Sequence, residues 1–101
     1  MTTRFLPEAR DEFVEAAKFY EKREEGLGDR FLDELEDCLE RIISQPLLGS
    51  AVTRALRRRI LRKFPFSVIY ATEESTIVVV AVAHTSRKPG YWKSRTDNES
   101  K

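Results

Sequence analysis

The chain has 101 residues, 41% hydrophobic and 35% charged, with a formal net charge of +1; that length is one domain that buries an ordinary core without staples and leaves no room for a second. One cysteine excludes an internal disulfide, and one cysteine with one histidine cannot build a structural zinc site, so no metal or cofactor is expected and the compartment is the cytoplasm. The near-neutral sum hides a division: residues 1–50 carry 13 acids and 7 bases (net −6) and residues 51–101 carry 4 acids and 11 bases (net +7), which assigns an acidic or polyanionic partner to the basic half. No apolar run approaches the roughly 18 residues of a membrane span, and the opening MTTRFLPEARDE lacks the apolar core of a signal peptide.

Thr2 to Leu6 is a short extended candidate. Pro7 fits the first turn of a helix, where its missing N–H costs nothing. From about Glu8 to Glu25, Ala9, Phe13, Ala16, Ala17 and Tyr20 fall on one stripe, with Glu12, Glu15, Lys18 and Lys22 mostly on the wet side. Gly26-Leu27-Gly28 supplies a break with two residues that tolerate positive φ, and Asp29 is placed to cap a second helix from Arg30 to about Ser44. On that helix Phe31, Leu35, Cys38, Leu39, Ile42 and Ile43 form the apolar stripe, which makes Cys38 a small buried apolar residue and not a reactive thiol. Asp33, Glu36, Asp37 and Glu40 remain outside as a solvated face. Pro46 stops the helix, and Pro46 to Ser50 is a turn-rich connection.

The basic segment Thr53 to Lys63 reads as a strand with an exposed cationic face, and Lys63-Phe64-Pro65 turns into the next strand. Phe66 to Tyr70 and Ile77 to Ala83 are rich in β-branched and aromatic residues and form an antiparallel pair across the polar Thr72 to Thr76. In the last strand both alternating sets are apolar, which requires an interior position or cover on both faces. Arg57, Arg58, Arg59, Arg62 and Lys63 precede one hairpin strand, and His84, Arg87, Lys88 and Tyr91 follow its partner. A hairpin brings such groups to the same end, where they are expected to face each other across one rim, the working surface. From about Lys93 the chain is polar, and TDNESK is expected to fray.

This order resembles the RelE/ParE superfamily of toxins from type II toxin-antitoxin modules, in particular the ParE-like branch described as plasmid stabilisation proteins. The residues that carry the resemblance are Phe5-Leu6-Pro7-Glu8-Ala9, Gly26-Leu27-Gly28-Asp29-Arg30-Phe31, Arg62 to Tyr70 (RKFPFSVIY), and Val82-Ala83-His84 with Arg87, Pro89, Tyr91 and Trp92. It implies an α+β fold of order β-α-α-β-β-β, with a short N-terminal strand and an α-hairpin packed on a small antiparallel sheet. It also implies a growth-inhibiting toxin neutralised by a cognate antitoxin, with which it forms a hetero-oligomer. ParE-like members inhibit DNA gyrase, whereas RelE-like members cut mRNA on the ribosome without a metal; fold cannot choose between them. A non-toxic relative that only binds its antitoxin is a third alternative.

Metal-free RNA cleavage needs a base for the 2′-hydroxyl, cations for the phosphorane and an acid for the leaving oxygen. His84 is the candidate base or acid; Arg62 and Arg87, with Arg59, are candidates to neutralise phosphate, and Tyr91 to stack on a base or pass a proton. For target or nucleic-acid binding the candidates are Arg57, Arg59, Arg62, Lys63, Arg87, Lys88, Tyr91 and Trp92. Residues 46–72 contain no Asp or Glu, so the carboxylate that some RNA-cleaving relatives use in this region is absent. Each candidate also has a plainer role: His84 as a strand-end residue bonded to backbone, the arginines as a solvated sheet face, Trp92 as an apolar plug, and Tyr91 as packing.

Overall fold

The computed structural model describes residues 1–95. Strand β1 (Thr2–Phe5) leads into helix α1 (Pro7–Arg23), a tight turn, helix α2 (Leu27–Ser44), and strands β2 (Ser50–Ala51), β3 (Arg57–Ile60), β4 (Phe66–Glu73) and β5 (Thr76–His84). The sheet order is β1-β5-β4-β3-β2. β1 runs parallel to β5 and the remaining pairs are antiparallel, so the sheet is mixed rather than wholly antiparallel.

β5 occupies the interior, as its doubly apolar pattern requires. Ile77, Val79 and Val82 face the helices, in one core with Phe31, Leu35, Ile42, Val68 and Tyr70. Val78, Val80, Ala81 and Ala83 face the other way, under Leu6, Leu56 and Trp92. A register shift between Ile69 and Tyr70 leaves Val80 as the extra residue of β5, which lets Val80 and Ala81 lie on the same face. Each fully buried Val or Ile side chain contributes roughly 1.5–3 kcal/mol relative to exposure, so β5 is the largest single contributor to the apolar core.

The helices follow the expected stripes. Ala9 and Ala16 of α1 and Phe31, Leu35, Cys38 and Ile42 of α2 are buried. The turn between them differs from expectation. Only Gly26 has positive φ, +85°, and it is the residue before α2; Asp29 lies inside the first turn and caps nothing. The donors at the start of α2 are met from α1 instead: Glu21 accepts the N–H groups of Gly26 and Gly28, both at 3.0 Å. Gly28 is helical and is needed for closeness, because a Cβ there would stand 2.6 Å from the Ala17 carbonyl oxygen.

The basic segment is less regular than expected. Only Arg57–Ile60 is extended; residues 53–55 bend, and the Thr53 hydroxyl accepts the N–H groups of Ala55 and Leu56. The connection before it contains the two-residue β2, paired with Arg57 and Arg58. At that edge the Tyr70 hydroxyl donates to the Pro46 carbonyl (2.7 Å) and Arg57 donates to the Gly49 carbonyl (2.8 Å), pinning a loop that displays Leu47 and Leu48. At the far end Tyr20, Phe31, Phe64 and Phe66 pack with centroids 4.9–6.1 Å apart, edge to face except for the tilted Tyr20–Phe31 pair. Residues 93–95 are helical and Arg95 is anchored by Glu12; the segment expected to fray, 96–101, lies outside the described residues. No helix among the described residues is long and apolar enough to cross a membrane.

Replacing Gly28 by Ala forces the two helices apart and is expected to cost about 1–3 kcal/mol by overpacking. Urea denaturation checks this: the midpoint falls while the slope with denaturant is unchanged.

Candidate functional site

The register places both basic groups at one end of the sheet. Ile60 pairs with Ser67, Phe66 pairs with His84, and the Thr85 N–H donates to the Pro65 carbonyl at 2.8 Å. Sheet pleating then divides them. Arg57 and Arg59 pair with Tyr70 and Val68, whose side chains face the helices, whereas Arg58 pairs with Ile69 on the opposite face. Arg57 is spent on the Gly49 carbonyl. Arg59, Arg62 and Lys63 line a cleft against α2 with Glu34, Asp37, Cys38 and Arg41, and the Lys63 N–H donates to Glu34. The expected continuous rim is therefore split: Arg59, Arg62 and Lys63 border one cleft, and His84 and Arg87 border another.

That second cavity, of about 290 Å³, is lined by Arg58, His84, Arg87, Lys88 and Lys93 over a floor of Ile69, Ala83 and Trp92, with no carboxylate in its wall among the described residues. Arg58 was expected in the basic rim but not singled out as a binding residue, and Lys93 was not among the candidates. Trp92 is 6% exposed and packs in the outer-face core, and it reaches the cavity only as part of that apolar floor. His84 rides edge-on against Phe66 at 5.1 Å, and its Nδ1 faces the Ser86 backbone N–H at 3.0 Å and the Ser86 hydroxyl at 2.8 Å. Accepting the backbone N–H at Nδ1 leaves the proton of the neutral ring on Nε2.

On the other side of His84, Arg87 and Tyr91 runs a groove of about 420 Å³ along α1, floored by Ala16, Phe66 and Val82 and edged by Asp11, Glu12 and Glu15. Glu12 is the residue that helical periodicity misplaces. Its carboxylate accepts the Val82 N–H (3.0 Å), the Tyr91 hydroxyl, and Arg95 through both terminal nitrogens (2.9 and 3.0 Å). Arg95 also donates to the Val80 carbonyl at 3.0 Å. The last β1 pair is opposite Val79, so this ion pair satisfies the β5 backbone where the neighbouring strand has ended. With side chains 17% and 15% exposed, the Glu12–Arg95 pair is shielded from water. Burial opposes the Arg95 charge, but the bonds and negative charge of Glu12 outweigh it and hold the guanidinium more firmly protonated. Burial, the hydrogen bond to Glu12 and the Glu12 charge push the Tyr91 phenol up to about 12. The Tyr91 ring carries the Arg87 guanidinium 4.0 Å from its centroid and that of Arg95 at 5.1 Å. Cys38 is buried, and burial raises its thiol pKa, consistent with a packing residue. Among the described residues no group of three or more His, Cys, Asp or Glu is placed to hold a metal.

A mixed sheet backed by an α-hairpin, with a cationic cavity at the end of the hairpin strands, defines a small α+β protein of the RelE/ParE architecture. The family described as ParE toxin of type II toxin-antitoxin system, parDE, matches residues 3–89, and the chain belongs to it. It is thus the toxin component of such a module, and membership implies an antitoxin partner. Among solved structures it is similar to the chromosomal ParDE toxin-antitoxin system from P. aeruginosa, with 13% identity, a TM-score of 0.61, and 85% of this chain and 97% of that one covered. It is also similar to the isolated E. coli RelE toxin, with 15% identity, a TM-score of 0.65, and 96% and 97% covered. No curated protein matches.

Because its folded-state pKa lies above the ordinary phenol value, Tyr91 contributes stability that is fully present below about pH 10 and is lost as pH rises toward about 12. A spectrophotometric titration of the folded chain is expected to show phenolate forming later than in free tyrosine. Tyr91→Phe is expected to remove the latest-titrating component.

Proposed function

We propose that this toxin acts in the cytoplasm by binding its target rather than by cutting RNA, with the cationic cavity around Arg58, Arg87 and Lys88 as the contact surface. What carries the reading is the commitment of Tyr91: its hydroxyl donates to Glu12, on the side of the wall away from Arg58 and Lys88. Among the described residues no carboxylate lines that cavity beside His84; the carboxylates near His84, those of Asp11, Glu12 and Glu15, edge the groove on the other side of the wall. The cavity instead concentrates positive charge over an apolar floor, which suits an anionic surface.

Arg57, Arg59, Arg62 and Lys63 fall outside this surface. The ParE-like resemblance makes DNA gyrase the expected target. An acidic or amphipathic antitoxin segment that covers the basic face and folds on binding is the expected neutralising partner, in a hetero-oligomer. The alternative, a ribosome-dependent and metal-independent mRNA endonuclease, draws on His84 and Arg87 lining one cavity with Arg58.

Growth inhibition by variants induced at matched levels tests the choice. Binding predicts that His84→Ala lowers potency by less than about tenfold, whereas Arg58→Glu and Arg87→Glu abolish it. A loss of about 10² to 10⁴ on His84→Ala is the signature of general acid–base catalysis and overturns the proposal.

A further inference from the structure

Glu12 does more than close an ion pair. Oε1 takes the Val82 N–H and one Arg95 nitrogen, and Oε2 takes the Tyr91 hydroxyl and the other Arg95 nitrogen. A carboxylate with both oxygens engaged in this way is fixed in place, and it fixes its donors in turn. Tyr91 is thereby held by its hydroxyl at one end, while its ring face is open to Arg87 at 4.0 Å. Arg87 is exposed, and among the described residues no hydrogen bond or ion pair holds its guanidinium; the tyrosine ring does. An exposed arginine without that platform samples many rotamers, and ordering it on contact weakens binding by about two- to tenfold.

We propose that Glu12 is a positioning residue for the toxin's contact surface: by locking Tyr91 it presents the ring on which Arg87 stacks, and so seats Arg87 in the wall of the cationic cavity beside His84. The carboxylate itself never touches the target. This rests on the reading of that cavity as the contact surface. It also gives the acid-edged groove along α1 a role, since it is from this side that Glu12 reaches the tyrosine while the opposite side of the same wall meets the target.

The test is a mutant cycle on the intact chain, read by the inducer dose that halves growth, with thermal midpoints and soluble levels measured in parallel. Arg87→Ala, Glu12→Gln and their combination are compared. Glu12→Gln is expected to lower potency about two- to tenfold, and to cost nothing further when Arg87 is already Ala, because the seat then has no occupant. Titrating the phenols gives a reading independent of toxicity. Glu12, Arg95 and Arg87 are the charged groups that act on Tyr91, and Glu12→Gln is expected to return its ionisation toward the ordinary tyrosine range. If Glu12→Gln does not fold, Tyr91→Leu removes the ring while leaving the Glu12–Arg95 pair, and the same absence of additivity with Arg87→Ala is expected. Potency losses that multiply in the double variants overturn the positioning role. Full toxicity of Arg87→Ala overturns the reading of the cavity itself, a distinct result.

Discussion

The ion pair between Glu12 and Arg95 is the constraint on which the arrangement of this protein depends. β5 is the central strand, but β1 is too short to accompany it beyond Val79. An interior strand cannot leave its N–H and C=O groups facing an apolar environment, where each unmet group costs about 1–3 kcal/mol. Two side chains take the place of the missing strand residues, the carboxylate on the Val82 N–H and the guanidinium on the Val80 carbonyl. Because one comes from α1 and the other from the C-terminal segment, closing the strand also fixes the helix and brings back the segment that carries Tyr91 and Trp92. Removing one member of a shielded pair leaves the other uncompensated, typically at about 3–5 kcal/mol when fully buried.

The same segment separates two chemical environments. On the helix side, Asp11, Glu12 and Glu15 edge a groove; on the outer face, Arg58, Lys88 and Lys93 surround a cavity, and His84, Arg87 and Tyr91 stand between them. The opposite net charges of the two halves of the chain thus meet at one wall. Trp92 buries its indole beneath the cationic cavity while Tyr91 turns its hydroxyl to the acidic side, so adjacent residues serve the two environments. Apolar packing of Phe66 against His84, in contact with the Tyr20, Phe31 and Phe64 cluster, ties the end of β5 to both helices.

Much of this was legible in the sequence. The helical stripes, the β4–β5 hairpin and the interior place of β5 follow from periodicity, because burial of whole faces leaves a repeated signal. The end of the sheet at which the cations gather also followed from hairpin geometry. Their division between faces did not. Arg57, Arg58 and Arg59 are consecutive and alike, and the buried leucines that flank them, Leu56 and Leu61, lie in different cores, so nothing in the segment fixes which arginine points which way; a one-residue shift exchanges them. Glu12 was hidden for a related reason. Helical position gives its direction but not the approach of Arg95 from the other end of the chain. The two-residue β2 carries no periodicity at all, and the capping of α2 by Glu21 uses a helix side chain where the local sequence offered Asp29.

The architecture hosts inhibitors that bind and enzymes that cut, so the target is decided by the chemistry of the cavity rather than by the sheet beneath it. Here that cavity gathers Arg58, Arg87, Lys88 and Lys93 over an apolar floor. The most direct measurement is to induce the chain alone in cells and examine transcript 5′ ends and plasmid topology from the same culture. The account predicts intact transcripts with relaxed plasmid or gyrase-linked breaks. New 5′ ends within translated messages, with supercoiling unchanged, would contradict it.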